Sequence, residues 1–203
     1  MDRKAHWEAI YTTKAPTDVS WFQASPDLSL ELIAATGAGK NARIIDVGGG
    51  ASMLVDQLLE ARCTRVTVLD ISAAALRHAK ERLGQRADHV TWLEADVTAG
   101  RLAGTFDVWH DRAVFHFLTD TDDRKRYIEA LDRSVPSGGH LIIAAFAPEG
   151  PPRCSGLEVR RYSPAALQEE LGERFELVET RRELHTTPSK AQQAFLYARF
   201  RKR

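Results

Sequence analysis

The residues whose types and spacing suit chemistry fall in four short stretches. The run Ile44-Ile45-Asp46-Val47-Gly48-Gly49-Gly50 passes from β-branched residues into three glycines, and Met53, Leu54, Leu58 and Leu59 then follow at helical spacing. A strand, a tight turn and a helix in that order make a ligand cradle. Glycine admits positive φ and close approach of a ligand to the main chain, while free amides at a helix start favour an anionic or polar group. Asp46 adds a carboxylate beneath the turn. One βα step later, Asp70 ends the run Arg65-Val66-Thr67-Val68-Leu69, where its carboxylate could accept hydrogen bonds from both hydroxyls of a ribose. Asp96 closes a third such run, and three acids at successive strand tips point to one shared cleft. The fourth stretch, His110-Asp111-Arg112-Ala113-Val114-Phe115-His116-Phe117, holds two histidines and an acid. His110 or His116 could take a proton near neutral pH with Asp111 orienting it, or the same run is a strand end and short helix whose histidines are held structurally.

Positioning these groups requires alternating strands and helices. Strands are expected from Ala42 to Val47, at 64–70, 90–97, 105–112 and 140–146, and as a final hairpin-like pair at 175–182 and 193–200. Helices are expected from Met53 to about Ala61, from Ala73 to Leu83 between a Ser72 cap and a Gly84 stop, from Asp123 to about Val135, and from Ser163-Pro164 to Leu171. Before the first strand, His6, Trp7, Ile10, Tyr11 and Lys14 share helical spacing, so Trp7 and Tyr11 project from one face. Ser20-Trp21-Phe22 reads as loop and Asp27 opens a helix running to Gly37. The stretch 147–156 is too rich in proline and glycine for regular structure, and the basic ending Arg199, Arg201, Lys202, Arg203 reads as a solvated tail.

Composition narrows the class. A chain of 203 residues, 43% hydrophobic, can bury one sizeable core, so residues 1–203 are expected to form a single domain with 1–40 as a cap or flap. Lysine plus arginine equals aspartate plus glutamate at 28 each, which gives no overall field toward nucleic acid or a membrane surface. No apolar leader and no membrane-spanning run is present, and a cytoplasmic location is expected. Cys63 and Cys154 have neither CxxC spacing nor histidine neighbours, so free thiols and no metal site are expected; Cys154 could contact an acceptor or a soft metalloid.

Taken together, the glycine turn and the strand-tip acids resemble a class I S-adenosylmethionine-dependent methyltransferase over essentially the whole chain. The resemblance implies an α/β, Rossmann-like seven-stranded sheet, mostly parallel, with an antiparallel strand near one edge and helices on both faces. It implies that Asp46-Val47-Gly48-Gly49-Gly50 is the cofactor's glycine motif, that Asp70 is the ribose acid and Asp96 the adenine-contacting acid, and that Ile71 and Val97 touch the nucleoside. Pro136-Ser137-Gly138-Gly139 before the fifth strand is a further habit of the family. Trp7-x-x-x-Tyr11 followed by Trp21-Phe22 is similar to the opening of lysine methyltransferases acting on elongation factor 1A and their small-molecule-modifying relatives. That similarity implies cofactor contacts from Trp7, Tyr11 and Arg112, with Trp7 or Trp21 shielding the sulfonium; a further tyrosine of that group is replaced here by Val19. Ser52 stands where many members carry another glycine, and Met53 where a dinucleotide fingerprint has its third.

The expected activity is transfer of a methyl group from S-adenosylmethionine, leaving S-adenosylhomocysteine, to a small-molecule or protein acceptor. The leaving group is already activated by its charge, so positioning supplies much of the rate, and a base is needed only for an acceptor that arrives protonated. The alternatives are a Rossmann-type NAD-dependent oxidoreductase, which Met53 disfavours, and a noncatalytic nucleoside-binding module.

Overall fold

The computed structural model describes residues 2–100 and 102–203; Met1, at the start of the expected cap, and Arg101 lie outside the described residues. The strands are β1 (Arg43–Val47), β2 (Arg65–Asp70), β3 (Val90–Glu94), β4 (Val108–Arg112) and β5 (His140–Phe146), then a short pair, β6 (Arg153–Cys154) and β7 (Leu157–Glu158), and a long pair, β8 (Phe175–Thr186) and β9 (Gln192–Lys202). The helices are α1 (Arg3–Thr13), α2 (Asp27–Ala34), α3 (Leu54–Glu60), α4 (Ala73–Leu83), α5 (Thr121–Ser134) and α6 (Pro164–Leu171). Seven strands form one sheet in the order β3-β2-β1-β4-β5-β9-β8. The first five are parallel; β9 runs antiparallel between β5 and β8.

Strand alternation divides the core in two. Ile45, Val47, Trp109 and Ile143 pack on one face with Tyr127 and Leu131 of α5 and Leu167 of α6. Their neighbours Ile44, Val108 and Ile142 pack on the other with Leu32 of α2, Leu54 and Leu58 of α3 and Leu76 of α4. A period of two along each strand makes this inevitable once both faces are covered. Each fully buried side chain of this kind contributes about 1.5–3 kcal/mol.

Sequence order reverses direction across the sheet between β1 and β4, and ligands of open α/β sheets bind at the strand ends beside such a switch. The backbone there is made for close approach: Gly48 sits at φ +69°, and a Cβ on it would collide with Val114 Cγ2.

Several expectations change: β3 stops at Glu94, so Asp96 stands in the loop beyond it, β4 begins only at Val108, and α2 ends at Ala34. The stretch after β5 is not wholly irregular, because Ser155 and Gly156, both at positive φ, turn β6 back on β7. The final strands run past their expected ends, as each supplies the other's hydrogen-bond partners over the whole hairpin. The basic ending is no solvated tail: Arg199 is buried against Glu179 at 2.7 Å, and Lys202 Nζ donates to the Val135 carbonyl at 2.8 Å. Only Arg201 and Arg203 among those four are exposed.

Candidate active site

Beside the switch point, a cleft of about 770 Å³, partly open to solvent, is built from the ends of the central strands and from the N-terminal segment. Val47 and Gly48 come from the end of β1, Leu69, Asp70 and Ile71 from β2, Asp96 and Val97 from the loop after β3, and Arg112 from β4. Trp7, Tyr11 and Trp21 line it from the N-terminal segment, and Cys154 from β6. A second cavity of about 540 Å³ adjoins it; Tyr11, Trp21, Gly48 and Arg112 line both, while Asp46, Gly49 and His110 line only the second.

The acids differ in setting. Asp70 Oδ1 accepts the Ser72 amide at 2.8 Å, and burial pushes its carboxyl up to about 7, with the Asp46 carboxylate adding to the rise. Gly50 is required beside it, because a Cβ there would strike Asp70 Oδ2. Asp96 Oδ1 accepts from the Thr98 amide at 2.8 Å and hydroxyl at 2.7 Å, and Oδ2 pairs with Arg3 at 3.1 Å. Asp46 Oδ1 meets His110 Nδ1 at 2.7 Å, and its Oδ2 is buried without a partner. Gly49 lies over that carboxylate, where a Cβ would overlap it.

Arg112 is held from three sides. Its Nε donates to Tyr197 Oη at 2.8 Å, Nη1 donates to the Trp21 carbonyl at 2.9 Å, and the guanidinium lies 4.5 Å from the centre of the Phe195 ring. Nη2 is buried with no hydrogen-bond partner, its nearest carboxylate being Glu183 at 3.6 Å. A guanidinium edge fixed in place and free of hydrogen bonds at Nη2, beside two cavities, is a ready receptor for a carboxylate.

The aromatic residues of the N-terminal segment form one cluster. Trp21 Nε1 donates to Tyr11 Oη at 3.0 Å, and Trp7 meets Trp21 and Phe117 edge to face at 5.6 and 4.9 Å between ring centres. Arg3 ties α1 to Asp96 and Asp123, and Glu8 Oε2 accepts from the Ser72 hydroxyl at 2.7 Å and the Ala74 amide at 3.1 Å. Those bonds hold the Glu8 carboxyl below the usual carboxylate range. Neither Arg3 nor Glu8 stood out in the sequence. The helical register that singled out Trp7 and Tyr11 also placed them on α1, but their partners lie more than sixty residues away and leave no local trace.

The residues expected to do proton chemistry are not in the cleft. His110 is buried between Asp46 and Ser29, whose Oγ is 2.9 Å from Nε2. Asp111, fully buried, accepts from Tyr127 Oη at 2.6 Å and from the Val114 and Phe115 amides at 2.9 and 3.2 Å. Burial raises its carboxyl to about 6 against those donors. His116 is walled in by Phe117, Phe146 and Phe195, and burial lowers its imidazole to about 3, so it stays neutral. Cys63 and Cys154 are free thiols. Burial pushes the Cys154 thiol up to about 11.

Residues 45–141 match the family model for a methyltransferase domain. Nodulation protein S of Rhizobium tropici is 26% identical over 114 residues, 56% of this chain and 47% of that protein. The eEF1A lysine and N-terminal methyltransferase of Mus musculus is 25% identical over 138 residues, 68% of this chain and 19% of that protein. The chain therefore spans about half the length of the first relative and about a fifth of the second. Among solved structures, the N-methyltransferase NodS of Bradyrhizobium japonicum WM9 in complex with S-adenosylhomocysteine superposes with a TM-score of 0.73 at 20% identity, covering 99% of both chains. No helix among the described residues is long and apolar enough to cross a membrane. A cradle at Gly48, a carboxylate at the second strand tip and a buried guanidinium whose Nη2 has no hydrogen-bond partner suit a nucleoside that ends in an amino acid. The methyltransferase-domain match runs from β1 to the start of β5, the strands whose ends build the cleft, and the fold is shared with the NodS structure.

Proposed function

We propose that this chain transfers a methyl group from S-adenosylmethionine to a small-molecule acceptor by in-line displacement. The observation that carries the reading is the convergence of Gly48, Asp70-Ile71, Asp96-Val97 and Arg112 on one cleft. Asp70 accepts the ribose hydroxyls, Asp96 faces the adenine edge, and Ile71 and Val97 flank the base. Gly48 lets the chain come close to the main-chain turn, while Gly49 and Gly50 make room for the carboxylates of Asp46 and Asp70. Arg112 Nη2 takes the methionyl carboxylate, and Tyr11 lines the same cavities. Trp7 and Trp21 cover the sulfonium, an attraction worth roughly 0.5–2 kcal/mol. When bound, the cofactor supplies a methyl group on an already activated leaving group, so this chain's task is alignment. No proton step is assigned to His110, Asp111 or His116.

A small acceptor is favoured by enclosure. Residues 2–40 serve as the cap, fastened by Arg3 to Asp96 and by Glu8 to the start of α4. The Burkholderia thailandensis 1,6-didemethyltoxoflavin-N1-methyltransferase, similar in fold and holding 1,6-didemethyltoxoflavin, supports a small-molecule reading, whereas the eEF1A enzyme supports a protein acceptor. Titration calorimetry with S-adenosylhomocysteine and with NAD tests the cofactor: binding of the first and silence with the second is expected, and the reverse would return the oxidoreductase reading.

A further inference from the structure

On that reading of the cofactor site, the nucleoside fills the first cleft and its amino-acid end reaches the Arg112 edge that both cavities share. Among the described residues lining the second cavity, Asp46 is the one carboxylate and Arg112 the one guanidinium. Each carries a buried polar atom with no hydrogen-bond partner, Oδ2 of Asp46 and Nη2 of Arg112. Glycine at 49 keeps a side chain off that oxygen, which a Cβ there would overlap. A cavity with one unused acceptor on an acid and one unused donor on a base fits a zwitterion, its ammonium toward the first and its carboxylate toward the second. Behind Asp46 stands a relay of two further side chains. Asp46 Oδ1 meets His110 Nδ1 at 2.7 Å across the β1–β4 pairing, and His110 Nε2 meets Ser29 Oγ of α2 at 2.9 Å. Asp46, His110 and Ser29 are 2, 2 and 1% exposed, so water does not stand in for any of them.

We propose that His110, backed by Ser29, is a positioning residue that holds the Asp46 carboxylate for the cofactor's ammonium. It touches no reacting atom and acts through Asp46 alone. With Asp46 as a carboxylate, the Nδ1 proton is donated to Oδ1, and in the neutral ring Nε2 accepts the Ser29 hydroxyl proton. Tying Oδ1 fixes the plane of the carboxylate and hence the direction of Oδ2. Without His110 the acid would be buried with neither oxygen bonded, a costly state for a charge. The consequence for the reaction is alignment: the sulfonium hangs between nucleoside and amino acid, and it points one way only when both ends are fixed. A pair kept for packing alone would cost stability when broken, with no regard to what the ligand carries.

The test compares S-adenosylhomocysteine with its deamino analogue, which keeps the nucleoside, the sulfur and the carboxylate and lacks the amino group. Titration calorimetry on the full chain is expected to find the analogue bound at least about tenfold more weakly, as for a lost charged hydrogen bond. His110→Leu should weaken S-adenosylhomocysteine at least about tenfold while moving the analogue by less than about twofold. His110→Asn, whose side-chain amide can donate from the place of Nδ1, should return most of that loss. Ser29→Ala removes only a hydroxyl and should show the same ligand bias in smaller measure, which carries the comparison where His110→Leu does not fold. Equal affinity of the unaltered protein for the two ligands, an equal loss of both in a folded variant, or no recovery with asparagine overturns the proposal. Absence of S-adenosylhomocysteine binding to the unaltered protein instead removes the cofactor reading beneath it.

Discussion

The carboxyl edge of the sheet has two halves that use the same residue types differently. At the tip of β2 and just beyond β3, Asp70 and Asp96 line the cleft; on β4, Asp111 is buried against Tyr127 and His110 is held between Asp46 and Ser29 beside the adjoining cavity. The difference lies in where each residue stands on its strand. Asp70 is the last residue of its strand and Asp96 lies beyond one, whereas His110 and Asp111 are consecutive interior residues that must face opposite sides of a sheet covered on both. Arg112, the last residue of β4, reaches the cleft. On β4, then, the last residue serves the cleft and the acid one step earlier serves packing.

The comparison can be broken most forcefully at Asp111. Asp111→Ala strands the Tyr127 hydroxyl and two buried amides, and is expected to cost about 3 kcal/mol of unfolding free energy. Urea titration reads this as a lower midpoint, and a loss below about 1 kcal/mol would contradict the packing role. Asp70→Ala should act on the ligand instead: it weakens S-adenosylhomocysteine binding at least about tenfold, near 1.4 kcal/mol. Unchanged affinity in a folded variant takes Asp70 out of the ribose role.

Protonation sharpens the contrast further. Asp70 sits at about 7 in the folded chain, above its ordinary value. Its stabilising contribution is therefore complete below about pH 4 and is lost as pH rises through about 7. The melting temperature of the ligand-free protein should fall between about pH 4 and 7, and Asp70→Asn should flatten part of that slope; an unaltered slope in the variant would show that Asp70 is not the group responsible. The smallest effect belongs to His116→Phe, expected to change turnover and cofactor affinity by less than about twofold, since its neutral ring already packs among phenylalanines. A tenfold fall in turnover would restore this histidine to the chemistry.

Much of this was legible in the chain itself wherever a local signal existed. Ser72 and Gly84 bound α4, Ser163-Pro164 opens α6, and the apolar run from His140 to Phe146 is β5, each at the residues expected. The seven-stranded, mostly parallel sheet with its last strand inserted antiparallel followed from resemblance, and the place of β9 between β5 and β8 agrees with it. What was not legible depends on contacts distant in sequence. Lys202 is a strand residue because Val135 and Asp132 offer oxygens to its ammonium, and His110 is a core residue because α2 brings Ser29 to it. No neighbour in sequence announces either.

The most direct measurement is a crystal structure of the protein with S-adenosylhomocysteine. The account expects ribose hydroxyls on Asp70, the base between Ile71 and Val97, and the amino-acid carboxylate on Arg112 Nη2. A nucleoside lodged elsewhere, or Asp70 and Arg112 both turned away from it, would contradict the account at its centre.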